Sequence, residues 1–199
     1  MYDKFAGLIF DMDGTLVDSG QLHEQAWGAT LLEYGIPLDR PYMRTLAGVP
    51  TKQTLEILLE KFSIAPRVSV DEMNEFKESF VAREMHKFVK PTSLMSIVKQ
   101  YHGKKPMTVG TGANTQEAEQ ILRLCGIYDF FDAIVGADQV INPKPAPDTF
   151  LRCASLINVS PELCVVFEDS QLGLQAAAAG GMVGVDVLIT HQVENDYFL

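Results

Sequence analysis

Ala6-Gly7-Leu8-Ile9-Phe10-Asp11-Met12-Asp13-Gly14-Thr15 decides how the rest of this chain is read. Its apolar run, Ala6 to Phe10, has the character of a buried strand. Two acids follow at a spacing of two, and then a glycine turn. A short parallel strand that ends this way puts two carboxylates and several backbone N–H groups at the carboxyl edge of a sheet. Open α/β sheets bind their ligands at that edge. Two carboxylates there repel each other unless a cation sits between them. Mg2+ suits the position, because it prefers hard oxygen ligands and works beside phosphate. Asp11 is therefore a candidate nucleophile and metal ligand, and Asp13 a candidate general acid/base.

Asp-x-Asp-Gly also occurs as plain turn chemistry, in calcium loops and at nucleotide-sugar sites. The EF-hand alternative fails on spacing. With Asp11 as the first position the twelfth is Leu22, where a glutamate is required.

At 199 residues, 47% of them hydrophobic, the chain can bury a sizeable core in one or two domains. A net charge of -10 argues against nucleic-acid and acidic-membrane partners. It leaves a small phosphorylated substrate open, since a metal and a local lysine set the potential inside a site. Cys125, Cys153 and Cys164 lie in apolar stretches without a C-x-x-C pair, so they read as reduced core residues. The start lacks a signal-like pattern, and no apolar stretch nears the roughly 20 residues of a membrane span. A cytoplasmic protein is expected, as a monomer or weak homo-oligomer.

Outward from the opening strand, helical spacing predicts helices over Gly20–Tyr34 and Thr51–Phe62. Ser69-Val70-Asp71-Glu72 fits a capping box that opens a third, with Met73, Phe76 and Phe80 inward. Lys77, Arg83 and Lys87 on it read mostly as solvated charges. No strand signal falls in this block. Beyond it, helices are predicted over Ser93–Tyr101, Thr115–Cys125, Pro147–Ile157 and Ser170–Ala179. They alternate with strands at Met107–Gly110, Ala133–Val135, Cys164–Phe167 and Val183–Val187. Such alternation implies a Rossmann-like, doubly wound parallel sheet with right-handed crossovers. The expected division is an α/β core of residues 1–17 and 89–199 with a small helical cap domain, 18–88, inserted into it. The tail from His191 could fray or dock back.

Three further stretches carry site chemistry. Thr111 ends a predicted strand. Its hydroxyl and the N–H groups of Gly112 and Ala113 can hold phosphoryl oxygens where the next helix begins, or Thr111 can serve simply as an N-cap. Lys144 lies between Pro143 and Pro145, which restrict its backbone and can aim its ammonium. Glu168 and Asp169 close an apolar strand, and paired acids there suit a metal. Ser170 reads as a helix N-cap.

Asp11-Met12-Asp13-Gly14-Thr15-Leu16-Val17-Asp18-Ser19 resembles the first motif of the haloacid-dehalogenase superfamily of phosphatases. Thr108–Gly112, Lys144–Asp148 and Phe167–Ser170 resemble the other three, in order, so the resemblance spans nearly the whole chain. It implies an Asp11 aspartyl-phosphate and an Asp13 that protonates the leaving alcohol and then activates water. It also implies a Lys144 that neutralises phosphoryl oxygens. Mg2+ would be held by Asp11, the Asp13 carbonyl, Asp169 and, directly or through water, Glu168. Within the superfamily the β-phosphoglucomutase-like branch matches best. There His23, next to Trp27 on the first cap helix, and the loop carrying Gly48, Thr51 and Lys52 read the substrate. That branch's mutases bind a second phosphate with an arginine where Thr51 stands here, which favours simple hydrolysis. A small sugar phosphate, of the fructose-1-phosphate or 6-phosphogluconate kind, is the expected substrate. The rival readings are a phosphohexomutase and, from another class, a catalytically silent metabolite-binding regulator.

Overall fold

The computed structural model describes residues 1–195, 197 and 198. The opening apolar run forms β1 (Gly7–Phe10), and after a tight turn β2 (Val17–Asp18) leads into α1 (Gly20–Glu33). Three helices follow: α2 (Arg40–Thr45), α3 (Thr51–Lys61) and α4 (Val70–Phe88). The chain returns through β3 (Lys90–Pro91). It then alternates through α5 (Met95–Tyr101), β4 (Met107–Gly110), α6 (Thr115–Leu124), β5 (Ala133–Val135), α7 (Asp148–Leu156), β6 (Cys164–Glu168), α8 (Gln171–Ala179), β7 (Val183–Asp186) and α9 (Val187–Thr190).

Five strands pair in parallel in the order β5-β4-β1-β6-β7. The three central strands, β1, β4 and β6, are buried on both faces, which is why they read as unbroken apolar runs. Alternate side chains feed separate clusters. Leu8, Phe10, Met107, Val109, Val165 and Phe167 face one layer, and Ile9, Val166, Phe150 and Cys153 the other. The rings of Phe10 and Phe167 stack with centroids 4.7 Å apart. The chain places β4 and β5 on one side of β1, then crosses to β6 and β7 on the other. The crevice where the winding reverses therefore opens above the ends of β4, β1 and β6.

The helical stretch between β2 and β3 has an apolar cluster of its own, which includes Trp27, Leu31, Met43, Leu55, Leu58 and Met73. Leu22, Ala26, Val81 and Met85, from the other halves of α1 and α4, pack into the main core. The Ser69 hydroxyl accepts from Glu72 N–H at 3.1 Å, the expected N-cap of α4. Where spacing gives no strand signal, the chain leaves and re-enters through a paired ribbon. Val17–Asp18 runs antiparallel to Pro91–Lys90, and the Thr92 hydroxyl donates to the Thr15 carbonyl at 2.6 Å. Arg40–Thr45 and Val187–Thr190 are helices too short to show periodicity.

All three cysteines are free, with Cys153 and Cys164 buried and Cys125 partly so. Among the described residues no helix is long and apolar enough to cross a membrane. The tail docks back: Val193 is buried in the main core and Phe198 in the helical cluster.

Candidate active site

β1, β4 and β6 are hydrogen-bonded neighbours, so the residues that follow them meet. Asp11 continues β1, its N–H bonded to the Phe167 carbonyl at 2.9 Å. Thr111 continues β4, with its N–H on Val135 O at 2.9 Å. Glu168 closes β6. Lys144 enters from the loop after β5. Its Nζ lies 2.7 Å from Asp11 Oδ1 and 2.8 Å from Glu168 Oε2, above the Phe150 ring. The other Glu168 oxygen accepts from the Ser170 N–H and hydroxyl, at 3.0 and 2.7 Å. Ser170 also caps α8, accepting from Gly173 N–H. A Cβ at Gly173 would collide with the Glu168 side chain, so only glycine lets the helix start this close to the carboxylate.

Asp11, Glu168 and Asp169 each bring a carboxylate oxygen within 4.8 Å of the others. One ammonium, Lys144, faces this trio. The excess of buried negative charge works against ionisation of the carboxyls. Burial first, and then Glu168, push Asp11 up to about 7 despite Lys144. Burial and the same neighbours hold Asp169 well above the ordinary carboxyl range. Burial would lower Lys144, but Asp11 and Glu168 outweigh it and the ammonium is held more tightly than usual. A hard divalent cation fits this set: three carboxylates against one ammonium, two positive charges short, in a pocket dry enough to make the deficit costly.

Asp13 stands apart from the trio. Its Oδ1 accepts from the Ser19 hydroxyl at 2.6 Å and faces His23 Nε2 at 3.2 Å. Burial raises its pKa, but His23, Ser19 and Lys77 outweigh that and leave the carboxyl below its usual range. Gly14, with φ +77°, makes the turn that follows Asp13, and a Cβ there would strike Asp169 and Asn195. Thr111 is not the N-cap of α6. Asn114 is, accepting from Glu117 N–H at 2.8 Å, while the Thr111 hydroxyl accepts from Ala113 N–H at 3.1 Å. Thr111, Gly112 and Ala113 thus form a short cradle beside Asp11 at the helix entrance.

Above these groups lies a cavity of about 520 Å³, within the range of small-molecule sites. His23, Gly48, Thr51 and Lys52, the residues the resemblance assigns to the substrate, line it, and so does Trp27. Gly48 reaches down to the Ser170 side chain. Lys52 turns its ammonium toward Asp71 at 2.6 Å, and its side chain is 57% exposed. Lys77 corrects the reading of the α4 charges as solvated. It is 7% exposed, its Nζ lies 3.4 Å from Thr51 Oγ1 and 5.0 Å from the Trp27 ring, and burial lowers its pKa against Glu117, Asp13 and Glu78. Arg83 and Lys87 are exposed, as expected.

Ser19, Asn74, Glu117, Asn195 and Tyr197 also line the cavity and were not foreseen as site residues. Asn74 and Lys77 share the inward stripe of α4 with Met73 and Val81, so the period carried a signal that the polar side chains masked. Asn195 Nδ2 donates to Asp169 Oδ2 at 2.6 Å, a contact across 26 positions that no local pattern announces.

A family profile described as haloacid dehalogenase-like hydrolase matches residues 5–181. The fructose-1-phosphate phosphatase YqaB of Escherichia coli is 43% identical over 189 residues, covering 94% of this chain and 98% of that protein. The β-phosphoglucomutase of Bacillus subtilis is 29% identical, covering 90% of this chain and 82% of its own. Among solved structures, a β-phosphoglucomutase from Clostridium difficile superposes with a TM-score of 0.81, covering 97% of each chain at 23% identity, a likeness of fold.

Proposed function

This chain belongs to the haloacid dehalogenase-like hydrolases and acts on phosphate esters, and from that footing we propose that it hydrolyses a small sugar phosphate of the fructose-1-phosphate kind through an aspartyl-phosphate on Asp11. One observation carries the reading. A carboxylate backed by Lys144 and two further acids faces the cavity, and a second carboxylate, Asp13, held by Ser19 and His23, lines it too. A nucleophile and a proton carrier need two carboxylates placed so, one to meet phosphorus and one near the leaving oxygen.

In this reading the sugar phosphate enters with its phosphoryl group between Asp11 and the Thr111–Ala113 cradle. Asp11 attacks phosphorus in line, and Thr111, Gly112 and Lys144 hold the non-bridging oxygens. Asp13 gives its proton to the leaving sugar oxygen, then takes one from the water that cleaves the aspartyl-phosphate. Ser19 and His23 keep Asp13 aimed at that oxygen. Asp11, Glu168 and Asp169, with the Asp13 carbonyl, would hold Mg2+, which when bound supplies charge neutralisation for the transferring phosphoryl group. We assign residues 18–88 as a cap over a core of 1–17 and 89–199. The sugar then lies against Trp27, Asn74, Lys77 and the Gly48–Lys52 loop. Free cysteines agree with a cytoplasmic setting.

A mutase is the second reading, favoured by the likeness to β-phosphoglucomutases. It requires a cation to grip a second phosphate at the start of α3. Lys52 there is held by Asp71, and the other ammonium, Lys77 at 3.4 Å from Thr51 Oγ1, lacks the fork with which an arginine grips a phosphate. Hydrolysis is the better fit.

The test is phosphate release with Mg2+ from a panel of hexose, pentose and nucleotide phosphates, with the sugars followed by chromatography. Free phosphate from a hexose or pentose phosphate supports the proposal. Isomerisation without release would replace it with the mutase. No turnover across the panel, with retained ligand binding, would leave the regulator.

A further inference from the structure

The segment after α9 runs from the sheet to the cap along one wall of the cavity. Val193 is 5% exposed in the main core, its N–H on Val187 O at 3.2 Å. Phe198 is 3% exposed among Trp27, Leu31, Met43 and Leu55, with the Arg40 guanidinium over its ring. Arg44 Nη1 donates to the Tyr197 carbonyl at 3.4 Å. Between these anchors Asn195 and Tyr197 line the cavity.

Asn195 makes two bonds that fix each other. Its Oδ1 accepts from Tyr197 N–H at 3.0 Å, so its NH2 group is the end that faces Asp169 Oδ2 at 2.6 Å. The other Asp169 oxygen accepts from the Thr15 hydroxyl at 3.3 Å. The Asp169 carboxylate is therefore gripped from two sides. One grip comes from the turn after β1. The other comes from a segment whose far end is seated in the cap.

We infer that Asn195 is a positioning residue for Asp169, and that the seat of Tyr197 and Phe198 makes this positioning depend on a docked cap. The inference rests on the reading of Asp11, Glu168 and Asp169 as the metal site. A carboxylate held in its ligating orientation binds a cation without paying to be ordered first. Partners that orient a ligand from behind are worth about 10- to 100-fold in metal affinity. Linkage makes the effect mutual: if a docked cap favours the cation, the cation favours a docked cap.

Trp27 is the only tryptophan in the chain and lies in the cluster that receives Phe198, so its emission reports on the seat. The experiment is calorimetric titration of Mg2+ into substrate-free protein, with Trp27 emission recorded in parallel, for wild type, Asn195→Ala, Phe198→Ala and Arg44→Ala. Asn195→Ala should weaken Mg2+ binding about tenfold or more with unchanged Trp27 emission. Phe198→Ala, which removes no group from the acidic trio, should shift Trp27 emission to the red and weaken Mg2+ binding about fivefold or more. Arg44→Ala, an exposed change that leaves both cores intact, should move both readouts in the same direction. An unchanged Mg2+ affinity in Asn195→Ala overturns the positioning role. A shifted Trp27 emission with unchanged Mg2+ affinity in Phe198→Ala and Arg44→Ala overturns the dependence on the cap. Wild-type protein that binds no Mg2+ removes the metal reading itself, and this inference with it.

Discussion

Lys144 Nζ lies 2.7 Å from Asp11 Oδ1, joining a loop and a strand end that are 133 positions apart. Both groups are almost fully buried, and Glu168 takes the other side of the ammonium. Lys144→Met should therefore cost stability as well as turnover. Removing one partner of a buried pair leaves the other uncompensated, about 3–5 kcal/mol by analogy with other buried pairs. Urea denaturation measures this, and a loss under about 1 kcal/mol would mean the pair is better solvated than its burial indicates.

Asp11→Asn should abolish turnover while keeping the fold. Its effect on stability should depend on pH. Burial and Glu168 raise the Asp11 pKa to about 7. The folded state then holds this proton more tightly than the unfolded chain, so stability is lost as pH rises from about 4 through 7. The asparagine removes that penalty. The metal-free Asp11→Asn variant should melt above wild type near about pH 8, and the gap should close below about pH 4, where Asp11 is neutral in both the folded and the unfolded chain. A gap that grows on acidification would refute the raised pKa.

Asp13→Asn should separate substrates by leaving group. A sugar alkoxide needs a proton as it departs, whereas an aryl oxide barely does. Loss of a general acid costs about 10²- to 10⁴-fold. Rapid-mixing measurements of the first step should show that loss for a sugar phosphate and a much smaller one for p-nitrophenyl phosphate. Equal losses would assign the proton to another group.

Lys77→Met should raise KM for the sugar phosphate with less effect on kcat, because the ammonium faces the cap side of the cavity and not the Asp11 carboxylate. A charged hydrogen bond to a substrate oxygen is worth about 1.5–3 kcal/mol, or roughly 10- to 100-fold. Steady-state kinetics on the best substrate of the panel decides it, and an unchanged KM would make Lys77 a packing residue.

Asp169→Asn should shift the Mg2+ dependence of turnover to higher concentration. The asparagine keeps the shape and its Thr15 contact but loses the charge and sets its amide against Asn195. An unaltered Mg2+ titration would remove Asp169 from the ligand set.

Much of this molecule was legible before the structure. The central strands are buried on both faces, so Gly7–Phe10, Met107–Gly110 and Cys164–Glu168 announce themselves as apolar runs ending in polar site residues. Asp11, Thr111, Lys144 and Glu168 converge because those strands are neighbours, a relation that βα alternation already implies. Lys77 escaped because a lysine turned into a polar cavity reads like a lysine turned to water. Asn195 and Tyr197 escaped because their partners, Asp169 and the helical cluster, are distant in sequence. The β2–β3 ribbon has only two residues a side, too few for any period to register.

That ribbon has an evolutionary corollary. Asp18 pairs with Lys90, so the excursion between them returns to its own starting point. Closing such a loop costs free energy that grows only as the logarithm of its length. On the proposed division into core and cap, changes away from Leu22, Ala26, Val81 and Met85, which pack into the main core, leave the ends of β1, β4 and β6 where they are. The chemistry of bond cleavage and the choice of sugar can thus drift separately. Substrate preference among relatives should then track the cap, while the acids beneath stay put.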